Sequence, residues 1–148
     1  WSSDVCSSDL SALIRDFAGD CEVTLVSATR LAGFAEDDLH GRPVSDSDLL
    51  MEIAPAFVEK NGRRTDRVVL ACTHYPLLLK RLERVAPWPV TWIDPAPAIA
   101  RRVVQLLGEG PKETRGSHES LVVLTGAEMW PDRLRAAFAA RGLSPAEN

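Results

Sequence analysis

The sequence predicts an α/β fold in which parallel strands alternate with helices that cover both faces of the sheet. Short apolar runs recur along the chain, and stretches with apolar residues at helical spacing separate them. At 148 residues, with 45% hydrophobic and 26% charged side chains, the chain is long enough to bury a core. Ligands of such sheets bind beyond the carboxyl ends of the strands, where we therefore expect a site.

The first part of the chain is predicted to contain a short strand between two helices. Residues 1–10 read WSSDVCSSDL and show neither helical nor strand periodicity, so we expect a non-native or disordered leader. Residues 11–17 have the spacing of the end of a helix, and residues 22–26 that of a strand. A helix is predicted from about residue 29 to residue 39, and Gly41 is typical of its C-terminal end.

The next elements are marked by capping and turn residues. Ser45 and Asp48 resemble a capping pair at the start of a helix. Pro55 lies inside the apolar pattern of that helix and should kink or split it. The Asn61-Gly62 dipeptide predicts a turn, and a strand is expected at residues 67–71.

Two further strand and helix pairs are predicted in the second half. A helix at residues 77–85 precedes a strand at 90–93, and Asp94 is expected to cap a helix over residues 97–107. A polar, Gly-rich segment then indicates a linker. The last strand is predicted at residues 121–124 and the last helix at about 131–140, which stops before Gly142.

Charge and cysteine content exclude several function classes. A net charge of −4 gives no electrostatic case for binding nucleic acid or anionic membranes. No apolar run approaches the ~18 residues of a membrane span, and no secretory signal pattern opens the chain. Cys6, Cys21 and Cys72 are scattered and odd in number, which does not suggest a disulfide framework. We therefore expect a cytoplasmic protein with reduced thiols.

The octapeptide at residues 71–78, ACTHYPLL, is the candidate site. It places Cys72 at the C-terminal end of a predicted strand, before a helix N-terminus whose N–H groups and dipole favour a thiolate. His74 adds a proton carrier two residues on. A lone cysteine after a buried strand is, however, more often a small core residue than a nucleophile or base, so both interpretations stay open at this point.

The octapeptide closely resembles the second-cysteine signature of the glutamate racemases, L-G-C-T-H-Y-P-L-L, with Ala71 in place of the glycine. The similarity extends over most of the chain from Ser11. It implies that residues 11–108 form the family's second domain, a three-layer parallel-sheet domain that is truncated at its start. It further implies a linker at 109–120 and, at 121–148, a strand and helix that would return to a missing first domain.

The resemblance also implies roles for four residues. Cys72 matches the second catalytic cysteine, His74 the histidine that assists it, and Glu36 a glutamate that acts through the charge balance of the pocket. Thr73 and His74 match positions that bind the amino-acid head group. The implied reaction interconverts L- and D-glutamate by proton transfer between two thiols, without cofactor or metal, and supplies D-glutamate for peptidoglycan. Full-length members are expected to be homodimers.

Near its N-terminus the family carries an Asp-Ser pair and a first catalytic cysteine followed by Asn-Thr, and the opening residues here contain neither. The residues after Cys6 and Cys21 do not match that first cysteine, so we expect this chain alone to be inactive. Because the opening strands of the second domain are missing, unpaired strand edges and exposed apolar faces should make the chain marginally stable or prone to aggregate. Alternatives are an aspartate or hydantoin racemase, or a catalytically dead binding fragment.

His74 could instead bond a backbone carbonyl, and Glu36 could be a surface charge. Cys21 is expected to be a packing residue, and His40 and His118 surface residues. A zinc site at Cys72 and His74 lacks further ligands.

Overall fold

A computed structural model describes residues 3–108, 120–123 and 131–146 as a mixture of helices and short strands. The helices are α1 (Ser3–Phe17), α2 (Leu31–His40), α3 (Asp46–Ile53), α4 (Leu79–Val85), α5 (Ala96–Leu107) and α6 (Asp132–Ala139), with 3₁₀ turns at Ala54–Ala56 and Tyr75–Leu78. The strands are β1 (Glu59–Lys60), β2 (Arg63–Arg64), β3 (Arg67–Val69), β4 (Thr91–Ile93), β5 (Ser120–Val122) and β6 (Leu143–Pro145). None of the helices in this part of the chain is long and apolar enough to cross a membrane.

Four of the six described strands form two parallel pairs, each connected through a helix, which confirms the predicted α/β class. β3 pairs with β4 in parallel, with Val68 opposite Trp92, and α4 makes the crossover between them. β5 and β6 are also parallel and are joined through α6. β1 and β2 form an antiparallel hairpin. Asn61 and Gly62 at its tip both have positive φ, +54° and +71°, as a two-residue hairpin turn requires.

One apolar cluster holds α2, α3 and α4 together beneath β3. Leu31 and Ala35 lie one turn apart on α2, and Leu49 and Ile53 one turn apart on α3, so each helix buries a single stripe. Leu70, Leu78 and Leu82 complete the cluster from the β3–α4 segment. These three helices therefore pack as one unit around the residues that follow β3.

Capping residues set the boundaries of α3 as the sequence predicts. The Ser45 hydroxyl accepts a 3.0 Å hydrogen bond from the backbone N–H of Asp48, at the N-cap. Pro55 lies in the 3₁₀ turn that replaces α3 after Ile53. The N-cap of α5 is Pro95 rather than the predicted Asp94, although Oδ1 of Asp94 accepts a 2.9 Å hydrogen bond from the Ala96 N–H at the start of that helix.

Other boundaries differ from the prediction. Residues 22–26 form no strand, and Val23 and Leu25 are exposed, so their apolar character alone does not produce a pairing partner. Residues 11–17 are the end of a helix as expected, but that helix begins at Ser3, within residues that lack helical periodicity and that we expected to form a non-native or disordered leader. The expected helix at 77–85 opens instead as the 3₁₀ turn, and α4 proper begins at Leu79.

The C-terminal part carries one strand that the sequence analysis missed. β6 follows Gly142, which has a positive φ of +71° and which we expected only to end the last helix. Parallel pairing to β5 gives the Leu143–Pro145 segment its hydrogen-bond partners, a contact that local sequence does not encode. Residues 109–119 of the predicted linker, His118 among them, and residue 124 of the predicted strand lie outside the described residues.

Arg81 and Arg84 of α4 attach that helix to α2 and α3. Arg81 donates to Asp38 of α2 at 3.0 Å and to Asp46 of α3 at 2.7 Å, while Arg84 donates to both oxygens of Asp46. Hydrogen bonds from Arg81 first, and from Arg84 next, lower the pKa of Asp46 from its ordinary 3.8. The same carboxylate raises the pKa of Arg81.

Truncation of a buried leucine should destabilise the fold far more than truncation of an exposed one. Leu82 has no exposed surface, so Leu82→Ala should lower the free energy of unfolding by about 2–5 kcal/mol. Leu106 of α5 is 67% exposed, and Leu106→Ala should change the free energy of unfolding by less than about 0.5 kcal/mol. Urea denaturation followed by circular dichroism measures both, and similar losses would contradict the placement of the core.

The ion pairs of Asp46 should make stability depend on acid pH. The pKa of Asp46 is lower in the folded chain than in the unfolded chain, so its contribution is present above the unfolded value and is lost as pH falls through the folded value. Asp46→Asn should therefore destabilise the protein near neutral pH. The difference between variant and wild type in urea titrations should shrink as pH falls below the ordinary 3.8 and through the lower pKa of the folded chain. A difference that is constant with pH would contradict this role.

Candidate active site

The residues of the octapeptide lie in a tight turn at the carboxyl end of β3. Leu70 extends the strand pairing, because its N–H donates to the Ile93 carbonyl at 2.9 Å. The Cys72 carbonyl then accepts from the Tyr75 N–H at 3.2 Å, and the His74 carbonyl from the Leu77 N–H at 3.0 Å. These bonds fix the backbone of Cys72, Thr73 and His74 between the strand and the 3₁₀ turn.

The imidazole of His74 connects the thiol to a carboxylate. Its Nε2 lies 2.9 Å from Oε1 of Glu36, and its Nδ1 lies 3.8 Å from the Cys72 Sγ. A carboxylate only accepts hydrogen bonds, so Nε2 is the donor to Glu36, and in the tautomer that carries its only proton on Nε2 the other nitrogen, Nδ1, can accept from the thiol. The structure thus brings together three of the predicted site residues, although Glu36 and Cys72 are 36 positions apart in sequence.

Thr73 completes the predicted set. Its Oγ1 lies 3.5 Å from Nδ1 of His74, at the outer limit of a hydrogen bond, and its side chain is exposed. The hydroxyl is thus next to the same ring nitrogen as the thiol, and it remains accessible for a polar group of a ligand.

Glu36 is also in contact with a second histidine. His40, one turn further along α2, lies with Nδ1 2.8 Å from the Glu36 carbonyl oxygen and 3.8 Å from Oε2 of its carboxylate. His40 is half-buried rather than a free surface residue. The i,i+4 spacing of Glu36 and His40 is the signal that could have placed it beside the site.

Tyr75 anchors the turn to the start of α2. Its hydroxyl donates a 3.1 Å hydrogen bond to the Ala28 carbonyl. Burial raises the pKa of this phenol, and the charges of Cys72 and then Glu52 raise it further, because all three disfavour the phenolate. Tyr75 therefore remains a neutral donor at physiological pH, which keeps the turn bonded to the segment that leads into α2.

A cavity of about 220 Å³ opens beside the carboxylate and imidazole. Glu36, Thr73 and His74 supply polar groups to its wall, and α6 closes it from the opposite side. The other lining residues are Leu39, Leu77, Leu134, Ala137, Phe138 and Arg141. Cys72 does not line this cavity, so the thiol reaches the space only through its neighbours Thr73 and His74. Sequence reasoning missed Arg141, since an arginine after a C-terminal helix carries no local signal of a site.

The remaining sequence candidates lie elsewhere. Cys21 is exposed, which contradicts the expectation that it packs in the interior. Both Cys21 and Cys72 are free thiols. Within residues 3–108, 120–123 and 131–146, no three His, Cys, Asp or Glu side chains gather in a way that could hold a metal ion.

No family model matches the chain. Two similar curated proteins and one similar solved structure are glutamate racemases. Glutamate racemase of Bartonella quintana is 54% identical over 97 residues, which are 66% of this chain and 36% of that protein. Glutamate racemase of Brucella abortus strain S19 is 55% identical over 95 residues, 64% of this chain and 34% of that protein. The chain is homologous to the glutamate racemases.

A solved glutamate racemase structure extends this similarity to the fold. The Escherichia coli glutamate racemase, crystallised with L-glutamate and the activator UDP-MurNAc-ala, superposes with a TM-score of 0.71 at 30% identity. The match covers 91% of this chain and 51% of the E. coli chain. The chain thus spans about a third of the length of the curated glutamate racemases it matches and about half of the solved one.

Removal of the Glu36 charge should change the state of the His74 ring. In Glu36→Gln the ring loses its carboxylate partner at Nε2, so the ¹⁵N chemical shifts of both ring nitrogens should move. Long-range ¹H–¹⁵N NMR spectra measure them directly. Asp37→Asn is the matched control, because Asp37 is the next residue of α2 but pairs with Arg42. Unchanged His74 signals in Glu36→Gln would contradict the contact.

Proposed function

We propose that this chain carries the second-cysteine half of a glutamate racemase site and that Cys72 exchanges a proton with Cα of glutamate. One observation carries the proposal: the Cys72 thiol, the His74 imidazole and the Glu36 carboxylate form a continuous chain of contacts in a sequence homologous to that family. A buried structural cysteine would need neither partner, because a core thiol is satisfied by packing alone.

The contacts suit proton transfer at sulfur. Nδ1 of His74 accepts the proton of the Cys72 thiol, and the Glu36 carboxylate stabilises the ring once it is charged. The resulting thiolate removes the Cα proton of L-glutamate, leaving the electron pair on the substrate as a carbanion. In the reverse direction, the Cys72 thiol returns its proton to the same face of the carbanion that forms from D-glutamate. No redox step or cofactor enters this balance.

Substrate binding is assigned to the same turn. The exposed Thr73 hydroxyl and the His74 ring present polar groups beside the cavity, as recognition of an amino-acid head group requires. The E. coli relative was crystallised with L-glutamate. We assign the same substrate here because the octapeptide matches the glutamate racemase signature at every position but Ala71, which favours glutamate over the aspartate or hydantoin alternatives.

The racemisation itself requires a second thiol on the opposite face of the substrate. The residues that follow Cys6 and Cys21 do not match the family's first catalytic cysteine. The proposal is therefore that these 148 residues supply one face only, without cofactor or metal, and do not racemise glutamate alone. In a complete enzyme the product D-glutamate would serve cytoplasmic peptidoglycan synthesis, and we propose a homodimer as in the family.

Replacement of Cys72 should abolish proton exchange in at least one direction. The test uses a racemase of the relatives' full length that contains these residues, incubated with L- or D-glutamate in D₂O. Cys72→Ser should lose incorporation of deuterium at Cα from one enantiomer or both, because serine is a far weaker acid and base than cysteine. Proton NMR of the Cα signal measures the exchange.

Cys21→Ser is the matched control and should exchange at the wild-type rate, since Cys21 is exposed and has no contact with His74 among the described interactions. Wild-type exchange from both enantiomers in Cys72→Ser would reject Cys72 as the acid or base. Binding of glutamate without any exchange in the unaltered protein would identify the alternative, a catalytically dead binding domain. Turnover by the 148-residue chain alone would contradict the one-face proposal.

A further inference from the structure

We propose that Arg81 is a positioning residue of this site. It fixes the position of α2, the helix that carries Glu36, relative to the turn that carries His74. The inference rests on the proposed function, in which the Glu36–His74 contact activates Cys72. Arg81 touches neither residue. Its hydrogen bonds join α4, which continues the chain from the His74 turn, to α2, which carries Glu36.

The guanidinium of Arg81 binds three separate segments at once. Nη1 donates to Oδ1 of Asp38 on α2 at 3.0 Å. Nη2 donates to the Val44 carbonyl, in the loop after α2, at 2.6 Å and to Oδ1 of Asp46 on α3 at 2.7 Å. The side chain is only 21% exposed, so solvent screens these bonds less than it would at an open surface.

Asp38 lies two residues after Glu36 on α2, and Arg81 seven residues after His74. The Asp38–Arg81 and Glu36–His74 pairs therefore connect the same two stretches of chain at two points. Between the two points Leu78 is buried in the α2 and α3 cluster, and Leu82 is buried directly after Arg81, so packing holds this segment against both helices. A displacement of α2 that broke the Asp38–Arg81 pair would also lengthen the 2.9 Å hydrogen bond between Glu36 and His74.

Arginine is required for this arrangement. Its planar fork presents donors in fixed directions, and three acceptors on three segments meet it here. A lysine ammonium keeps the positive charge but has no such fork, so it can hold Asp46 or Asp38 without fixing the angle between their helices. Arg84 differs in function because its hydrogen bonds go to Asp46 of α3 and do not include α2.

The readout is the rate at which iodoacetamide alkylates Cys72 in the 148-residue chain, followed by mass spectrometry of the Cys72 peptide. This rate reports thiol activation without needing racemisation. Glu36→Gln should slow it about three- to tenfold, the size of a coupling between groups in contact. Arg81→Lys should slow it by a similar factor. Arg84→Lys, the matched control, should leave it unchanged.

A double-mutant cycle separates positioning from general stability. If Arg81 acts through the Glu36–His74 contact, Arg81→Lys should produce no further slowing in the Glu36→Gln background. Asp38→Ala, which removes the α2 acceptor and leaves the bonds of Arg81 to Val44 and Asp46 in place, should reproduce the effect of Arg81→Lys. The Asp38 variant therefore tests the positioning role even if Arg81→Lys does not fold.

Each other outcome has a definite meaning. Equal slowing by Arg81→Lys in both backgrounds, or a lower thermal midpoint with an unchanged rate, would overturn the positioning role while the proposed function stands. An unchanged rate in Glu36→Gln would instead contradict the activation of Cys72 by Glu36 and His74, and with it the proposed function. Wild-type rates in both Arg81→Lys and Asp38→Ala, with a slowed rate in Glu36→Gln, would reject the positioning role of Arg81 and leave the proposed function in place.

Discussion

Burial of Leu78 and Leu82 against the apolar stripes of α2 and α3 is the interaction on which the candidate site depends. These two side chains belong to the segment that begins at the octapeptide, and they have almost no exposed surface. Their burial brings α2 beside the turn that follows β3, and only then can the Glu36 carboxylate reach the His74 ring. Polar contacts at Arg81, Tyr75 and His74 refine a geometry that hydrophobic burial first establishes.

The sequence predicts local features of this structure well and long-range ones poorly. The Ser45 cap, the Asn61-Gly62 turn and the 3₁₀ ending of α3 at Pro55 are all determined by neighbouring residues, and each lies where it was expected. Residues 22–26 have the composition of a strand but no partner, and β6 exists because β5 lies beside it. Pairing of strands is decided by the fold as a whole, so a window of sequence cannot predict it.

The same distinction holds for the site. Cys72, Thr73 and His74 are contiguous, so a signature of eight residues was enough to predict them. Glu36 was predicted only by resemblance, and its contact with His74 depends on how α2 packs. His40 and Arg141 were missed because the former is marked only by helical spacing and the latter only by the position of α6. The thiol is in contact with the His74 imidazole, the Glu36 carboxylate lies behind that ring, and a short 3₁₀ turn rather than a long helix follows His74.

The contact between Glu36 and His74 spans 38 residues of sequence, and this has a consequence for protein design. Grafting the octapeptide onto the end of a strand in an unrelated scaffold would reproduce the cysteine and the histidine but leave the imidazole without its carboxylate. A transplant that retains the chemistry would need α2 as well, together with the buried leucines that fix its distance from the turn. The smallest portable unit is therefore a packed pair of segments, and the short motif serves to find such sites rather than to build them.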